Sequence, residues 1–196
     1  DFSLLKPEYV RLSDEELEGL EDAEACLEKA CRLIDVPCGP KKIRNLMNAS
    51  RLAGHPAAIA YTTLNGHENA NREPLHKSLD LLRQCVSLGH APSMTWMFPY
   101  CYYGLGTKKD KGECYRLLKR AHDLGCVEAT YQLAEALSRG WICEEDIGEG
   151  ERLFRQAYIR GSVLAAQKLQ SARCDKNKPL GDCFESCFRG RFKPDF

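Results

Sequence analysis

Cysteine is the residue type in this chain with the widest chemical scope, because a thiolate can bind metal, form a disulfide or act as a nucleophile. The chain has 11 cysteines among 196 residues. A structural zinc site needs four converging ligands, usually in pairs two to four residues apart, and Cys183 with Cys187 is the pair with that spacing. Cys174, Cys183 and Cys187 are therefore the candidate metal ligands. Because no second pair accompanies them, we predict no metal site and no cofactor.

The other cysteines offer less specific chemistry. An N-terminal trio, Cys26, Cys31 and Cys38, is a second possible ligand set, and His122 and Cys126 are one helical turn apart. The total is odd, and the cysteines recur at irregular intervals, whereas a disulfide framework would repeat them regularly. We therefore expect mostly reduced thiols that pack as small hydrophobic side chains. One disulfide in the C-terminal tail is the alternative.

Signatures of catalysis are missing from the sequence. It contains no P-loop, no HExxH, no GxSxG and no CxxC motif. Its histidines are scattered, and a lone histidine is more often a surface or packed residue than a catalytic one. We therefore predict that the protein is not an enzyme. The histidines are His55, His67, His76, His90 and His122.

Charge and hydropathy limit the classes of partner that we expect for the protein. Lys plus Arg and Asp plus Glu number 28 each, so the net charge is zero and offers no general attraction for nucleic acid. No apolar run approaches the roughly 18 to 20 residues that cross a bilayer, and we expect no membrane insertion. We expect a cytoplasmic protein that binds a protein or a peptide. Its oligomeric state is not predicted. The chain starts at Asp1, so we expect that the sequence is trimmed. The removal of a targeting segment is compatible with this start.

An internal repeat in the sequence predicts the helices that position the cysteines and histidines. Gly89, Gly125 and Gly161 are spaced by 36 residues, and Asp110 and Asp146 share the same interval. Each aspartate is followed three residues later by a glutamate, which predicts the start of a helix, and each glycine predicts the end of one. A fixed period of this length is typical of stacked helix-turn-helix repeats.

The ends of the chain depart from this period. Ser13 with Glu16 predicts a capping box that opens one long N-terminal helix, which would cover the first repeat. We divide the chain into an N-terminal arm and capping helix at 1–40, a repeat array at 41–172 and a Cys/Phe-rich tail at 173–196. The predicted fold is all-α, a solenoid of helix-turn-helix units with an N-terminal capping helix.

The repeat resembles the Sel1-like repeat (SLR) family, whose units are similar to tetratricopeptide repeats. The resemblance implies a right-handed α/α superhelix that acts as an adaptor for protein complexes, with the first helix of each unit on the concave face. The sequence departs from the family pattern at Phe98, Pro99 and Cys101. The residues that carry the resemblance are Ala129, Leu133, Gly140, Asp146, Ala157 and Gly161, with Gly104, Leu105 and Gly106 before Asp110 in the neighbouring unit.

Aromatic residues concentrate on the first helix of the second repeat, in the segment WMFPYCYY that spans residues 96–103. Rigid aromatics give a large contact area at low entropic cost, which suits a peptide partner. Alternatively, most of them fill the interface between repeats. A helix buries only one stripe fully, and we expect some of them to face a partner. The predicted partner-binding residues are Tyr61, Trp96, Tyr100, Tyr103, Gln132, Glu135 and Arg139.

Function follows from fold and surface together. We predict a non-enzymatic protein-interaction adaptor or scaffold that binds a partner segment in the concave groove of the solenoid. The alternative is a cysteine-rich redox- or metal-linked factor of an oxidising compartment. A third hypothesis comes from the resemblance, since some cysteine-rich members of the family are associated with β-lactam binding and would imply a hydrolase.

Overall fold

The computed structural model describes residues 1–33, 40–65 and 72–173, and within these ranges the chain is helical with no strand. Two 3-10 turns, Phe2–Leu4 and Pro7–Arg11, come first. The candidate ligands Cys38, Cys174, Cys183 and Cys187 lie outside the described residues. The α-helices are α1 (Asp14–Glu18), α2 (Ala23–Leu33), α3 (Pro40–Leu52), α4 (Pro56–Asn65), α5 (Arg72–Ser87), α6 (Ala91–Tyr103), α7 (Lys111–Leu124), α8 (Val127–Arg139), α9 (Ile147–Ile159) and α10 (Val163–Arg173).

The N-terminal helix is interrupted, contrary to the prediction of one long helix. The capping box of Ser13 and Glu16 is present, but α1 ends at Glu18 and Gly19 follows. A new helix then starts because the Asp22 carboxylate accepts a hydrogen bond from the Ala25 amide at 2.9 Å, which caps α2. The chain therefore turns between two short helices.

Neighbouring helices pack against each other in chain order, in two compact units. The first unit comprises residues 1–126, so it contains α1 to α7. Part of its core joins the capping helix to the first repeats, with Leu27 of α2 against Met47 of α3, Ala57 of α4 and Cys85 of α5. The N-terminal segment thus covers apolar surface of the first repeat, as predicted for a cap.

The second unit begins at Val127, and α8, α9 and α10 pack in sequence within it. Tyr131 of α8 and Phe154 of α9 meet edge to face, with ring centroids 5.5 Å apart. Gly150 of α9 has α8 directly over it, because a Cβ there would meet Ser138 and the carbonyl oxygen of Ala134. The small residue therefore allows the two helices to approach closely.

The predicted capping signals are confirmed. Asp110 and Asp146 each accept a hydrogen bond from the amide three residues on, at 2.9 Å, and so start α7 and α9. Gly125 ends α7 with φ +107°, and Gly161 follows α9 with φ +93°, a backbone region that glycine adopts without strain. Helix α6 continues through Pro99 and ends at Tyr103.

Candidate functional site

The predicted binding residues of the first unit form an aromatic pair. Tyr61 of α4 and Trp96 of α6 have ring centroids 4.5 Å apart, and both are half-buried. They also pack against the core that contains Leu27 and Ala57. The structure therefore brings Tyr61 and Trp96 together, with one side of the pair supporting the fold.

The tyrosines at the end of α6 are placed differently. Tyr103 is 66 % exposed and meets Tyr102 edge to face at 5.0 Å. Tyr100 is half-buried, and burial raises the pKa of its hydroxyl. The Lys109 ammonium lies 5.9 Å from the Tyr102 ring centroid, within cation–π range. Tyr103 is thus the predicted aromatic that is most available to a partner.

A polar stripe runs along α8 in the second unit. Gln132, Glu135 and Arg139 are all half-buried and lie on one face of the helix. The Gln132 amide donates to Glu128 at 2.6 Å, and Arg139 pairs with Glu135 at 3.3 Å. These predicted residues are therefore on one surface of this unit.

Neighbouring groups complete the polar stripe. Lys168 of α10 reaches the Glu135 carboxylate at 3.0 Å, and the Arg139 guanidinium lies 4.6 Å from the Trp141 ring centroid. The Gln132 side-chain oxygen is buried and has no hydrogen-bond partner among the described residues. Burial raises the pKa of the neighbouring Tyr131 hydroxyl, and the Glu135 charge adds to that rise. The stripe thus keeps one buried acceptor open beside charges that are already paired.

A buried charge cluster in the first unit was not predicted. The Glu24 carboxylate lies 2.7 Å from His55 Nε2 and 3.1 Å from His90 Nε2, and all three side chains are buried. The Lys6 backbone amide donates a third hydrogen bond to the same carboxylate at 3.2 Å. The expectation that these histidines are scattered is therefore wrong for His55 and His90, which meet at one carboxylate of the capping helix.

The repeat explains how the two histidines come together. Each follows a repeat glycine, and each accepts, through Nδ1, the backbone amide three residues on, at 3.4 Å for His55 and 3.3 Å for His90. Ser162 plays the same capping role before α10. Because Nδ1 accepts, Nε2 carries the proton and points at Glu24. The signal in the sequence was the shared phase of His55 and His90, 35 residues apart.

Electrostatics favour the ionised form of Glu24. Burial alone would raise the pKa of this carboxyl, but the hydrogen bonds from His55 and His90 outweigh it and lower the pKa to about 2. One helical turn on, Glu28 is also buried, and burial raises its pKa although Arg32 lies 3.0 Å away. The region therefore holds a stabilised carboxylate beside a destabilised one.

Several buried cysteines of the described part have raised thiol pKa values. Burial raises the pKa of the Cys85 and Cys114 thiols to about 11, and that of Cys101 in the same direction. The thiol of Cys126 lies 3.7 Å from the Thr95 hydroxyl. Thiols of this kind stay protonated near neutral pH and are poor nucleophiles. No disulfide joins Cys26, Cys31, Cys85, Cys101, Cys114, Cys126 and Cys143.

Similarity to solved structures is consistent with the repeat architecture. No protein-family model and no curated protein sequence matches the chain. A Sel1 repeat protein from Oxalobacter formigenes aligns with a TM-score of 0.50 at 21% identity, covering 65% of this chain and 98% of that one. None of the described helices is long and apolar enough to cross a membrane.

A second solved structure is similar over more of the chain. It is a protective antigen present in uropathogenic Escherichia coli strains that displays an SLR fold, with a TM-score of 0.54 and 17% identity. The alignment covers 92% of this chain but 40% of that one, so the chain spans less than half of the antigen's length. Both neighbours have Sel1-like repeats, and the predicted resemblance is confirmed at the level of the fold. The chain is an all-α repeat protein with the architecture of the Sel1-like repeat proteins.

Proposed function

We propose that the protein is a non-enzymatic interaction module that holds a partner segment against the first helices of its repeats. One observation carries this proposal. The same position on α4, α6, α8 and α10 holds a large half-buried side chain, which the neighbouring helices cover only in part. The residues at this position are Tyr61, Trp96, Gln132 and Lys168, at successive intervals of 35, 36 and 36 residues.

Each unit offers a surface of different chemistry. In the first unit Tyr61 and Trp96 form a rigid aromatic platform, and Tyr103 extends from the end of the same α6 helix. Aromatic side chains of this kind are common anchors in protein interfaces. In the second unit Glu135 and Arg139 supply paired charges, and Gln132 supplies a buried acceptor. We expect the aromatic surface to supply affinity and the polar stripe to set orientation.

The raised thiol pKa values support a binding role over catalysis by cysteine. A cysteine nucleophile needs a lowered pKa and an adjacent base, whereas Cys85, Cys101 and Cys114 are buried and shifted upward. The two histidines that converge, His55 and His90, donate to a carboxylate and do not contact a thiol in the hydrogen bonds described.

Calorimetry with a purified partner tests the proposal. Affinity purification followed by mass spectrometry identifies the partner, and its affinity is then measured for Tyr103→Ser and, as a matched control, Tyr158→Ser. Tyr158 is also an exposed tyrosine but lies on α9, a second helix. Loss of an aromatic anchor weakens binding by about tenfold or more. We expect this at Tyr103 alone, and equal affinities for both variants would contradict the proposal.

The redox- or metal-linked alternative has its own test. Mass spectrometry of the intact protein with and without reductant counts native disulfides. Several disulfides would favour the alternative over an interaction module of reduced, packed thiols. Covalent labelling by a β-lactam would favour the hydrolase hypothesis in the same way.

A further inference from the structure

We propose that Glu24, His55 and His90 form a buried binding site for a divalent transition-metal ion such as zinc. Two imidazole nitrogens and one carboxylate are a donor set that zinc accepts in proteins, where three protein ligands leave a fourth position for water or another group. The three ligand atoms all lie within 4.8 Å of one another, and each of the side chains is buried. Such convergence distinguishes this cluster from a chance group of exposed acids.

The ligand atoms are close enough to reach a common ion once they move. Metal–ligand distances near 2.0 Å place neighbouring ligand atoms about 3.3 Å apart in a tetrahedron. Glu24 Oε2 lies 2.7 Å from His55 Nε2 and Glu24 Oε1 lies 3.1 Å from His90 Nε2, and the ligand atoms of the three residues lie within 4.8 Å of one another. Side-chain movements on the order of an ångström would therefore bring the three groups to one ion.

Charges around the cluster favour a cation. Glu24 contributes one negative charge, and the buried Glu28 carboxylate one turn further along α2 is close enough for Glu24 and His90 to act on its pKa. Arg32 is the cation beside Glu28, at 3.0 Å. The Cys85 thiol is also near the cluster, and the Glu24 charge helps to raise its pKa. The positive charge of a bound divalent ion would offset the negative charges of the Glu24 and Glu28 carboxylates, which have Arg32 as a neighbouring cation.

Metal binding also requires a change of histidine tautomer. The proton on each Nε2 must give way to the ion, and a proton on Nδ1 keeps each imidazole neutral. At His90 this Nδ1 proton has an acceptor, because the Ser93 hydroxyl oxygen lies 2.6 Å away. The Nδ1 proton would displace the Ala58 amide at His55, which lies 3.4 Å away, and the Ser93 amide at His90, which lies 3.3 Å away. Because His90 gains the Ser93 hydroxyl as an acceptor in exchange, the site is better supported at His90 than at His55.

Such an ion would join three parts of the chain. Glu24 belongs to the capping helix α2, His55 begins α4, and His90 begins α6. The Lys6 amide places the N-terminal arm against the same carboxylate. Because binding a buried ion stabilises the folded state, metal would raise the stability of the junction between the cap and the first two repeats.

The experiment measures metal binding next to a single tryptophan. The chain has two tryptophans, so Trp141→Phe leaves Trp96, whose ring centroid lies 6.3 Å from that of His90. Reduced full-length protein is titrated with Co²⁺, which quenches nearby fluorescence, and with Zn²⁺ in competition. We expect saturable quenching at one equivalent and a higher Tm with Zn²⁺.

Paired variants separate this site from the cysteines. His55→Asn with His90→Asn removes both imidazoles but keeps a good N-cap at each helix, and His122→Asn is the control on α7. We expect the double variant to bind at least about 100-fold more weakly and the control to bind normally. Equal quenching in wild type and double variant would overturn the proposal, as would no quenching in wild type.

X-ray absorption of the zinc-loaded wild-type protein decides the matter even if the double variant does not fold. The proposal predicts a first shell of nitrogen and oxygen with imidazole scattering. A shell dominated by sulfur would place the ion on cysteines and overturn the proposal.

Discussion

At the scale of single residues, Glu24 determines how the N-terminal segment is attached. Its carboxylate accepts hydrogen bonds from two histidine rings and one backbone amide, although the side chain is only 2 % exposed. A buried carboxylate is tolerated when it is hydrogen-bonded on all sides and is costly when a partner is lost. Glu24 should therefore contribute strongly to stability.

Glu24→Gln should lower the free energy of unfolding by about 3 kcal/mol at neutral pH, because an amide cannot accept from both histidines. Urea denaturation followed by circular dichroism measures the change. Glu151→Gln is the matched control, since Glu151 of α9 is half-buried and pairs with the exposed Arg155. Its cost should stay below about 1 kcal/mol. Equal costs for the two variants would contradict the role given to Glu24.

Stability should also depend on pH through Glu24. Its folded-state pKa is about 2, below the ordinary value of 4.5, so its contribution is present above pH 4.5 and is lost as the pH falls toward 2. The difference in unfolding free energy between wild type and Glu24→Gln reports chiefly on Glu24. Glu28 has a raised pKa that acts in the opposite direction, and the Glu24 charge contributes to that rise. We expect that difference to shrink by about 2 kcal/mol between roughly pH 5 and pH 3. A constant difference would contradict the lowered pKa.

The cluster of Glu24, His55 and His90 could be predicted only in part from the sequence. His55 and His90 share a phase in the repeat, and that phase alone could have predicted that their rings lie at equivalent places. Glu24 lies outside the repeat. The break that separates α1 from α2 was not predicted either. The convergence therefore depends on tertiary packing that the local pattern does not encode.

At the scale of helices, capping residues and glycines were the most informative signals. Asp110, Asp146, Gly125 and Gly161 act as predicted, because each effect depends on a few neighbouring residues. The N-terminal segment was predicted as one helix, whereas the Asp22 carboxylate caps a second helix after the break at Gly19.

Two glycines of α9 give a matched test of helix packing. Gly150→Ala should destabilise the protein by about 1–3 kcal/mol, because its Cβ would collide with Ser138 and Ala134 of α8. Gly148→Ala should be neutral or stabilising by up to about 1 kcal/mol, because its Cβ would contact only Asp146 Oδ1, at 3.6 Å. Thermal unfolding of the two variants measures both effects. Similar Tm values would contradict the close approach of α8 and α9.

At the scale of the molecule, the 36-residue period predicted the all-α repeat fold, which two Sel1-like repeat structures support. The period was informative because α7 and α9 repeat the same aspartate cap at the start and the same glycine after the end. The partner surface was less predictable. Tyr103 is exposed as expected of a contact residue, whereas Trp96 and Tyr61 also pack against the core. Burial of an aromatic depends on its neighbours in space, which one sequence does not reveal.

Site-specific photo-crosslinking tests the central claim, that a partner binds the first helices of the repeats. A photoreactive phenylalanine analogue replaces Tyr103 of α6 in one variant and Tyr158 of α9 in another, and each is irradiated with the purified partner. Both side chains are exposed in the unbound protein, Tyr103 to 66 % and Tyr158 to 54 %. We expect crosslinks from position 103 and few from position 158. Crosslinks mainly from position 158 would contradict the claim.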